Sequence, residues 1–452
     1  MRLLMRVGLA TSFFLTAFLC GFNVAQFRSA RRNPGALRLS PAQAFQAFTR
    51  SLTPAWARAS DDGDAPAPPD TYRLALAAVR RDYVGAAPTP TRLTYAGIDG
   101  MLGTIGDPYT VFWTPQEYKQ NMEANSGDFV GIGARLDLTK DKRVVIIEPL
   151  DGSPAVAAGV LGGDIITAIN GKPTIGMGIS QVIDLIHGPE GSSVRVTVLR
   201  GKQTRTFVMT RSVVHTRIAN YRMTDPVKKI GYIGLGMFNE QADVQFDGAL
   251  QKLENQGMKA LVFDLRDNPG GLLQVAQDLA SRFVADGPIV WVKEKNGHLS
   301  SLNVERNRHR SPLYDGVYPV VVLVNSDSAS AAEIVAGAIQ DSGTGILVGT
   351  RTYGKGLVQT IMPLADDSAV KITTQHYFTR DKHDINIKRD LEGRALSTVG
   401  GIKPNIEVPF NDHEVALQRD ALRSDPRNMA IQDKYDPQLQ RALKEITAKL
   451  GR

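Results

Sequence analysis

The sequence predicts a multidomain α/β fold, with an N-terminal helical region, a β-rich domain and a larger core in which strands and helices alternate. The 452 residues are too many for one hydrophobic core. Residues 129–211 read as short apolar runs separated by turn residues. From residue 230 to about 408 such runs alternate with helical patterns. We place the domain boundaries so that the segments are 1–26, 27–69, 70–125, 126–212, 213–408 and 409–452.

The first segment, residues 1–26, is a candidate export signal. Arg2 and Arg6 precede an uncharged run from Val7 to Ala25 that is rich in Leu, Phe and Ala. This pattern is typical of a secretory signal peptide or an uncleaved membrane anchor, and the run has about the minimum length for a bilayer span. We therefore expect an extracytoplasmic protein of the bacterial periplasm or cell envelope, either membrane-anchored or secreted. The sequence leaves open whether the segment is removed.

The next two segments predict a linker followed by helices. Residues 27–69 are rich in Pro, Ala and Ser, which is typical of a linker. Apolar spacing then predicts one helix from Thr71, a second over Thr94–Ile105 and a third over Thr114–Met122, opened by Thr114 and Pro115. The tail after residue 411 is charged and helix-prone.

Short apolar runs predict the strands of the two larger domains. In the β-rich domain the predicted strands are Gly131–Leu136, Val144–Glu148, Asp164–Ile169 and Val194–Leu199, with helices at Pro154–Ala158 and Ser180–Ile186. In the core the predicted strands include Ala260–Leu265, Val320–Val324, Ile346–Val348 and Ala369–Phe378.

Composition excludes several classes of site. The net charge is +7, but Lys and Arg are interspersed with Asp and Glu, so we expect no nucleic-acid partner; the basic cluster Arg28, Arg31 and Arg32 flanks the apolar N-terminal run. Cys20 is the only cysteine, which excludes an intramolecular disulfide. The histidines show no metal-binding spacing. We therefore expect neither a metal nor another cofactor, and look for catalytic groups among Ser, Lys, Asp and Glu.

One candidate nucleophile follows a continuous apolar strand in the segment 318–339. Ser330 would lie at the first turn of the next helix, where unpaired N–H groups and the positive end of the helix dipole are found. The N–H of Ala331 can there donate to an oxyanion. The alternative is that Ser326, Ser328 or Ser330 only caps the helix.

A second segment, Asp264–Leu273, predicts a strand, a tight turn and a helix. Gly270 and Gly271 let the backbone approach a ligand and aim N–H groups outward, which makes this turn a candidate second oxyanion donor. An ordinary glycine turn is the alternative.

A third segment, residues 345–360, places Lys355 between two glycines after an apolar strand. Gly349 to Lys355 has the GxxxxGK spacing of a nucleotide-binding loop, but position 356 is Gly, so the magnesium-binding hydroxyl is missing. A strand-like pattern follows where a phosphate loop would open a helix, and we set the nucleotide hypothesis aside. A solvated loop lysine is the remaining alternative.

As a general base, Lys355 would need burial or a lowered pKa, with about 7–8 a useful range. Gln359 could hold the amine by a hydrogen bond. On a flat strand the two residues would be about 13 Å apart, so the chain must curl at the glycines. None of the histidines His298, His309 and His376 is an attractive base, and GxSxG is absent. The residues therefore favour a Ser–Lys pair.

Together these segments resemble the carboxyl-terminal processing peptidases, or tail-specific proteases, over about residues 70–408. Any one motif is weak, but six occur in the family's order. The motifs are Asp107-Pro-Tyr-Thr110, Phe129-Val-Gly-Ile-Gly133, Gly152-Ser-Pro-Ala155 with Gly162-Gly-Asp-Ile165, Asp264-Leu-Arg266 with Asn268-Pro-Gly-Gly271, Ser328-Ala-Ser-Ala331 with Glu333, and Gly354-Lys-Gly356 with Gln359.

The resemblance implies a serine endopeptidase with an α/β Ser–Lys peptidase core. Ser330 would be the nucleophile and Lys355 the general base, oriented by Gln359. The N–H groups of Ala331 and of Gly270 and Gly271 would form the oxyanion hole. Glu333, one helical turn beyond the serine, would support the site, although a partly exposed helix carboxylate is an equally good interpretation.

The β-rich region resembles an embedded PDZ domain. The loop Val130, Gly131, Ile132 and Gly133 would offer N–H groups to a terminal carboxylate, while the adjoining strand pairs with the peptide. The implied partners are protein or peptide substrates recognised through C-termini or unfolded segments, and a mobile PDZ domain could gate the site. A domain retained mainly for packing is the alternative. The sequence leaves self-association into a homo-oligomer open.

The sequence departs from the family in two places. Residues 381–399 are longer and more charged than expected, and Asn405 replaces a usual acidic residue. Two other function classes stay in view: a non-catalytic PDZ scaffold and a periplasmic chaperone-like binder. Equal cleavage of an unfolded protein by the parent and a Ser330→Ala variant would remove the catalytic assignment.

Overall fold

The computed structural model describes residues 69–139, 141–150, 152–306, 313, 318–410 and 433–451. The predicted export segment, all of the predicted linker except its last residue, and the first part of the tail lie outside these ranges. The described residues fall into two units, one ending at Pro88 and one beginning at Thr89, and each is described by itself. Within the described ranges, no helix combines the length and the apolar character that crossing a membrane requires.

In the first unit, helix α1 spans Pro69–Asp82, so it starts two residues before the predicted Thr71. The second unit begins with helix α2, Pro90–Gly103, strand β1, Val111–Trp113, and helix α3, Pro115–Ser126. The predicted start of α3 is confirmed: the Thr114 side chain accepts a hydrogen bond from the N–H of Glu117 and the next residue is Pro.

The PDZ-like domain is a β-sheet closed by two helices. Its elements are β2 Asp128–Gly131, β3 Ala134–Leu138, β4 Val144–Pro149, α4 Pro154–Ala157, β5 Ile165–Ile169, β6 Lys172–Pro173, α5 Ile179–Ile186, β7 Ser193–Arg200, β8 Gln203–Thr210 and β9 Ser212–His215. The sheet order is β3-β4-β5-β7-β8, so β3 is an edge strand. The first and last strands, β2 and β9, pair as an antiparallel ribbon.

The prediction of one strand over Gly131–Leu136 was wrong. The chain turns at Gly133, whose φ of +71° favours glycine. The turn is held by its carbonyl, which accepts hydrogen bonds from the Leu150 N–H and the Ser153 hydroxyl, each at 2.9 Å. A period-two apolar pattern continues across this turn, which is why the sequence did not reveal it.

The peptidase-like core contains two sheets. Its elements are β10 Ala219–Asp225, β11 Ile230–Leu235, α6 Ala242–Asn255, β12 Ala260–Asp264, α7 Leu273–Ala280, β13 Pro288–Glu294, β14 Leu299–Asn303, β15 Val320–Val324, α8 Ala331–Asp341, β16 Gly345–Gly349, β17 Leu357–Pro363, β18 Ala369–Phe378, β19 Ile406–Glu407 and α9 Pro437–Leu450. The larger sheet has the order β10-β11-β12-β15-β16-β19 and is parallel from β11 onward.

Both faces of the parallel sheet are covered, which explains its continuous apolar strands. Every residue of β12 and β15 is buried. Residues of α6, α7 and α8 share one buried cluster with these strands, and residues of α9 share the other. The second sheet is antiparallel, in the order β1-β18-β13-β14 with β17 paired to β18. The predicted fold class is confirmed, and the predicted helical region also contributes strand β1 to the core.

Candidate active site

The turn between β15 and α8 holds Ser330 in an unusual backbone conformation. Its φ of +55° and ψ of −114° are sparsely populated for a residue with a side chain. Two flanking contacts fix the turn: the Ala329 N–H donates to the Asn268 carbonyl at 2.9 Å, and the Tyr377 hydroxyl donates to the Ser330 carbonyl at 3.2 Å. Such strain persists only where the surroundings impose it, and it is a feature of functional sites.

The three serines of this turn have different roles. Ser328 is buried, and its hydroxyl donates to the Leu265 carbonyl at 2.7 Å, so it ties β15 to the turn after β12. Ser326 is exposed. Ser330 occupies the N-cap position of α8 but makes no side-chain capping hydrogen bond to the helix. Its hydroxyl is therefore not used for capping.

Glu333 joins the serine turn to the lysine loop. Its Oε2 accepts from the N–H of Ser330 at 2.8 Å and of Lys355 at 2.9 Å. Its Oε1 accepts from the Thr352 hydroxyl at 2.6 Å and the Gly354 N–H at 2.7 Å. The side chain is fully buried, so the alternative of a partly exposed carboxylate was wrong. Burial raises the pKa of Glu333, whereas the four donors favour its ionised form.

Lys355 lies between β16 and β17 with its amine partly enclosed. Its Nζ is 4.8 Å from the centre of the Tyr109 ring. Burial lowers the pKa of Lys355 from 10.5 to about 8, and the positive charge of Lys371 acts in the same direction. The pKa therefore meets the requirement for a base that works near neutral pH.

The backbone around Lys355 departs from a flat strand at two places. Gly354 has a φ of +80°, and a Cβ there would lie 2.6 Å from Ile387. The β17–β18 pairing shifts register between Val358 and Gln359, which is a β-bulge or a similar irregularity. Lys355 and Gln359 line the same cleft, and the Gln359 amide donates to the Thr373 hydroxyl at 3.2 Å.

The glycine turn after β12 faces the serine turn. A Cβ at Gly270 would lie 2.8 Å from the Ser330 Cβ and 2.9 Å from the Ala331 nitrogen, so only glycine allows this approach. The Gly270 N–H already donates to the Asn268 side chain at 2.9 Å. Among the described residues, the N–H groups of Ala331 and Gly271 have no hydrogen-bond acceptor. These two donors are open.

The candidate residues meet in one cleft of about 240 Å³. Ser330, Ala331, Gly271, Lys355 and Gln359 all line it. No Ser330–Lys355 hydrogen bond is present in the part of the chain that the structure describes. This absence does not exclude a catalytic pair, because catalytic hydrogen bonds are often long before substrate binds and tighten only in the reacting complex.

Two contributors to the cleft were missed as site residues. Lys371 and Trp113 both line it, with the Lys371 Nζ 4.9 Å from the centre of the Trp113 ring. They come from strands β18 and β1, more than 250 residues apart in the chain, so no local pattern joins them. His376 and His298 are exposed and neither lines the cleft; His309 lies outside the described residues.

The PDZ-like domain has a separate groove of about 330 Å³ between β3 and α5. Its apolar lining residues are Phe129, Ile132, Ala134, Leu136, Ile183 and Ile186. Of the predicted carboxylate-binding loop, Ile132 and Gly133 line the groove, whereas Val130 and Gly131 pair with β9. Because β3 is an edge strand, its outer side is available for an added peptide strand.

Helix α3 lies between the groove and the cleft. Gln120 and Glu123 line the groove, and Asn121 and Asn125 line the cleft. The side chain of Gln116 donates to Asp184 on α5 at 2.8 Å. One helix thus forms a wall of both sites.

Comparison with known proteins follows the same division of the chain. Residues 229–408 match the profile of peptidase family S41, and residues 145–200 match that of a PDZ domain. The chain is 32% identical over 365 residues to a probable CtpA-like serine protease of Staphylococcus haemolyticus, covering 78% of this chain and 72% of that relative.

Two further comparisons agree with this one. A probable CtpA-like serine protease of Staphylococcus epidermidis is 33% identical over 317 residues, covering 70% of this chain and 61% of that relative. A solved structure from Bacteroides fragilis, provisionally designated an S41 protease, superposes with a TM-score of 0.50 at 16% identity. It covers 83% of this chain and 97% of that structure, and shows the likeness of fold.

Proposed function

Because the chain belongs to peptidase family S41, the C-terminal processing serine peptidases, we propose that Ser330 and Lys355 form its catalytic dyad. One observation carries the proposal: both side chains line a single cleft with the two open N–H donors. The strained serine turn and the lowered pKa of Lys355 support it.

In the proposed reaction, Ser330 Oγ attacks the scissile carbonyl carbon while Lys355 Nζ takes its proton. The carbonyl oxygen becomes an oxyanion, stabilised by the N–H groups of Ala331 and Gly271. Lys355 then gives its proton to the leaving amine, and an acyl-enzyme remains on Ser330. Water attacks the acyl carbon with Lys355 again accepting a proton, which releases the new carboxyl end and restores the serine.

Three other residues position this machinery. Glu333 holds the backbone N–H groups of both dyad members through two of its hydrogen bonds, and the lysine loop at Thr352 and Gly354 through the other two. The Gln359 amide nitrogen is held by Thr373, and we assign its oxygen to the Lys355 amine. Gly270 allows its turn to pack closely against Ser330. It does not donate to the oxyanion, because its N–H already donates to the Asn268 side chain.

The groove between β3 and α5 gives the proposed substrate class, which is proteins with an accessible C-terminus or an unfolded segment. An extended peptide would pair with the edge of β3 and place apolar side chains in the groove. The N-terminal charge and apolar pattern supports an extracytoplasmic site of action, with the membrane as a partner of residues 1–26 if that segment is retained.

A cleavage assay tests the dyad. The parent protein is incubated with a permanently unfolded protein such as casein, beside Ser330→Ala, Lys355→Ala and the matched control Ser326→Ala, which alters an exposed serine of the same turn. We expect fragments from the parent and the control only. Cleavage at the parent rate by either dyad variant would refute the mechanism; binding without cleavage by the parent would favour a scaffold or a chaperone-like binder.

A further inference from the structure

The catalytic cleft contains a second lysine, Lys371, to which the proposed reaction gives no role. It lies on β18, opposite Ile361 on β17 and Val111 on β1. Lys371 lines the same cleft as Ser330 and Lys355. Two amines thus share one small cavity, at the point where the proposed base must lose its proton.

Lys371 forms no ion pair within the part of the chain that the structure describes. Its Nζ lies over the ring of Trp113, 4.9 Å from the ring centre. An aromatic face favours a cation over it, but it does not cancel the positive charge as a carboxylate would. The negative charge of Asp107 raises the pKa of Lys371 as it does that of Lys355, but it forms no salt bridge with Lys371.

The groups around Lys355 act in opposite directions. Glu333 on α8 and Asp107 before β1 raise the pKa of Lys355. Burial and Lys371 lower it. Tyr109 faces the amine with its ring, and its hydroxyl contacts the Tyr353 hydroxyl at 3.3 Å. Beyond it, the Arg389 guanidinium lies 3.8 Å from the centre of the Tyr353 ring. Among these groups, Lys371 is the cation that lines the cleft together with Lys355.

We propose that Lys371 is a positioning residue that keeps the Lys355 amine unprotonated by placing a fixed positive charge in the same cleft. This inference rests on the proposed Ser330–Lys355 dyad. Two ammonium groups that line one partly buried cleft repel each other, so one of them loses its proton more readily. A neighbouring cation is one of the general ways to activate a lysine.

The surroundings determine which amine stays charged. Lys371 has the Trp113 ring beneath it, which stabilises its ammonium form. Burial lowers the pKa of both lysines, and it lowers that of Lys355 more strongly, although the Tyr109 ring also faces Lys355. Lys371 is thus the cation of the pair, and Lys355 is the base.

The test is the dependence of kcat/KM on pH for the parent and for Lys371→Met, Lys371→Gln and Lys371→Arg. Removing the charge should move the acidic limb to higher pH by about one unit, because the lost repulsion makes Lys355 easier to protonate. Well below the pKa, at pH 6.5, kcat/KM should fall about tenfold, and above pH 9.5 it should recover to within about twofold. Lys371→Arg keeps the charge and should keep the parent profile.

The matched control is Lys382→Met, which removes another lysine stacked on a tryptophan, with 4.1 Å between its Nζ and the centre of the Trp291 ring, outside the cleft. It should leave the profile unchanged. A neutral Lys371 variant with an unshifted profile overturns the proposal. So does a raised KM confined to substrates with acidic groups, because Lys371 would then be a substrate contact.

A second measurement needs no variant of Lys371. NMR titration of isotopically labelled lysine side chains in Ser330→Ala protein should show Lys371 still protonated at the pH where Lys355 titrates. The reverse order would refute the proposal. Failure of the dyad is distinguishable, since it would appear as unchanged cleavage by Lys355→Ala, whereas failure of this inference leaves Lys355→Ala inactive.

Discussion

Replacing Glu333 by Gln should damage both stability and catalysis. The carboxylate accepts two hydrogen bonds on each oxygen, from the N–H groups of Ser330, Gly354 and Lys355 and the hydroxyl of Thr352. An amide has only one oxygen, so at most one pair of donors can be satisfied. Its –NH2 group would face the other pair. The shape of the side chain is preserved, and what changes is the direction of hydrogen bonding.

The magnitude follows from the burial of the site. Glu333 is fully buried, so water does not replace the two lost acceptor contacts. An unsatisfied buried donor costs about 1–3 kcal/mol, and we expect Glu333→Gln to lower the free energy of unfolding by roughly 2–6 kcal/mol. In either orientation of the amide one pair loses its acceptor: the N–H groups of Ser330 and Lys355, or the Thr352 and Gly354 donors that hold the lysine loop. We therefore expect kcat to fall at least about 100-fold even in molecules that remain folded.

The free energy of unfolding would be measured by denaturant titration in the Ser330→Ala background, where self-cleavage cannot distort the curve. Activity would be measured without that background change. Asp341→Asn is the matched control: the same carboxylate-to-amide change at the other end of α8, where Asp341 accepts an exposed hydrogen bond from the Asp381 N–H. A Glu333→Gln protein within about 1 kcal/mol of the parent would refute the reasoning on buried donors.

Three further predictions concern the base, the oxyanion turn and the groove. With the pKa of Lys355 lowered to about 8, kcat/KM should rise with pH and level off above that value; a flat profile from pH 6 to 9 would exclude Lys355 as the base. Gly271→Ala should abolish cleavage, since its Cβ would lie 2.2 Å from a backbone carbonyl and its φ is +148°, whereas Gly248→Ala, with no atom within 4 Å, should be active. Ile183→Glu should raise KM about tenfold for substrates with an apolar C-terminus, because it places a charge in the apolar groove, and the exposed Val208→Glu should not; equal KM values would remove the groove from tail recognition.

Much of the core could be predicted because its signals are local. The buried strand β15 is a continuous apolar run, and α3 starts with Thr114 and Pro115. The pairing of distant segments could not be predicted in this way. The Thr110 hydroxyl accepts from the Thr373 N–H, a contact across 263 residues, and it helps to join β1 to β18.

The candidate site shows the same limit. Short motifs make Ser330 and Lys355 candidates, but the burial of Glu333 depends on the serine turn and the lysine loop, which meet only in the folded chain. From the sequence alone, Gly270 and Gly271 are equally good candidates for the second oxyanion donor. The structure separates them, because Asn268 accepts the N–H of Gly270 and leaves that of Gly271 open.

Helix α3 couples the lining of the PDZ-like groove to the lining of the cleft, so evolution cannot readily change one without affecting the other. Its side chains alternate between the groove, through Gln120 and Glu123, and the cleft, through Asn121 and Asn125. On this helix, a residue that contacts the proposed peptide groove can be the direct neighbour of a residue that lines the cleft. A substitution selected for its effect on peptide binding is therefore close enough to disturb the cleft as well. New preferences would therefore arise more readily on α5, whose groove-facing Ile183 is absent from the cleft.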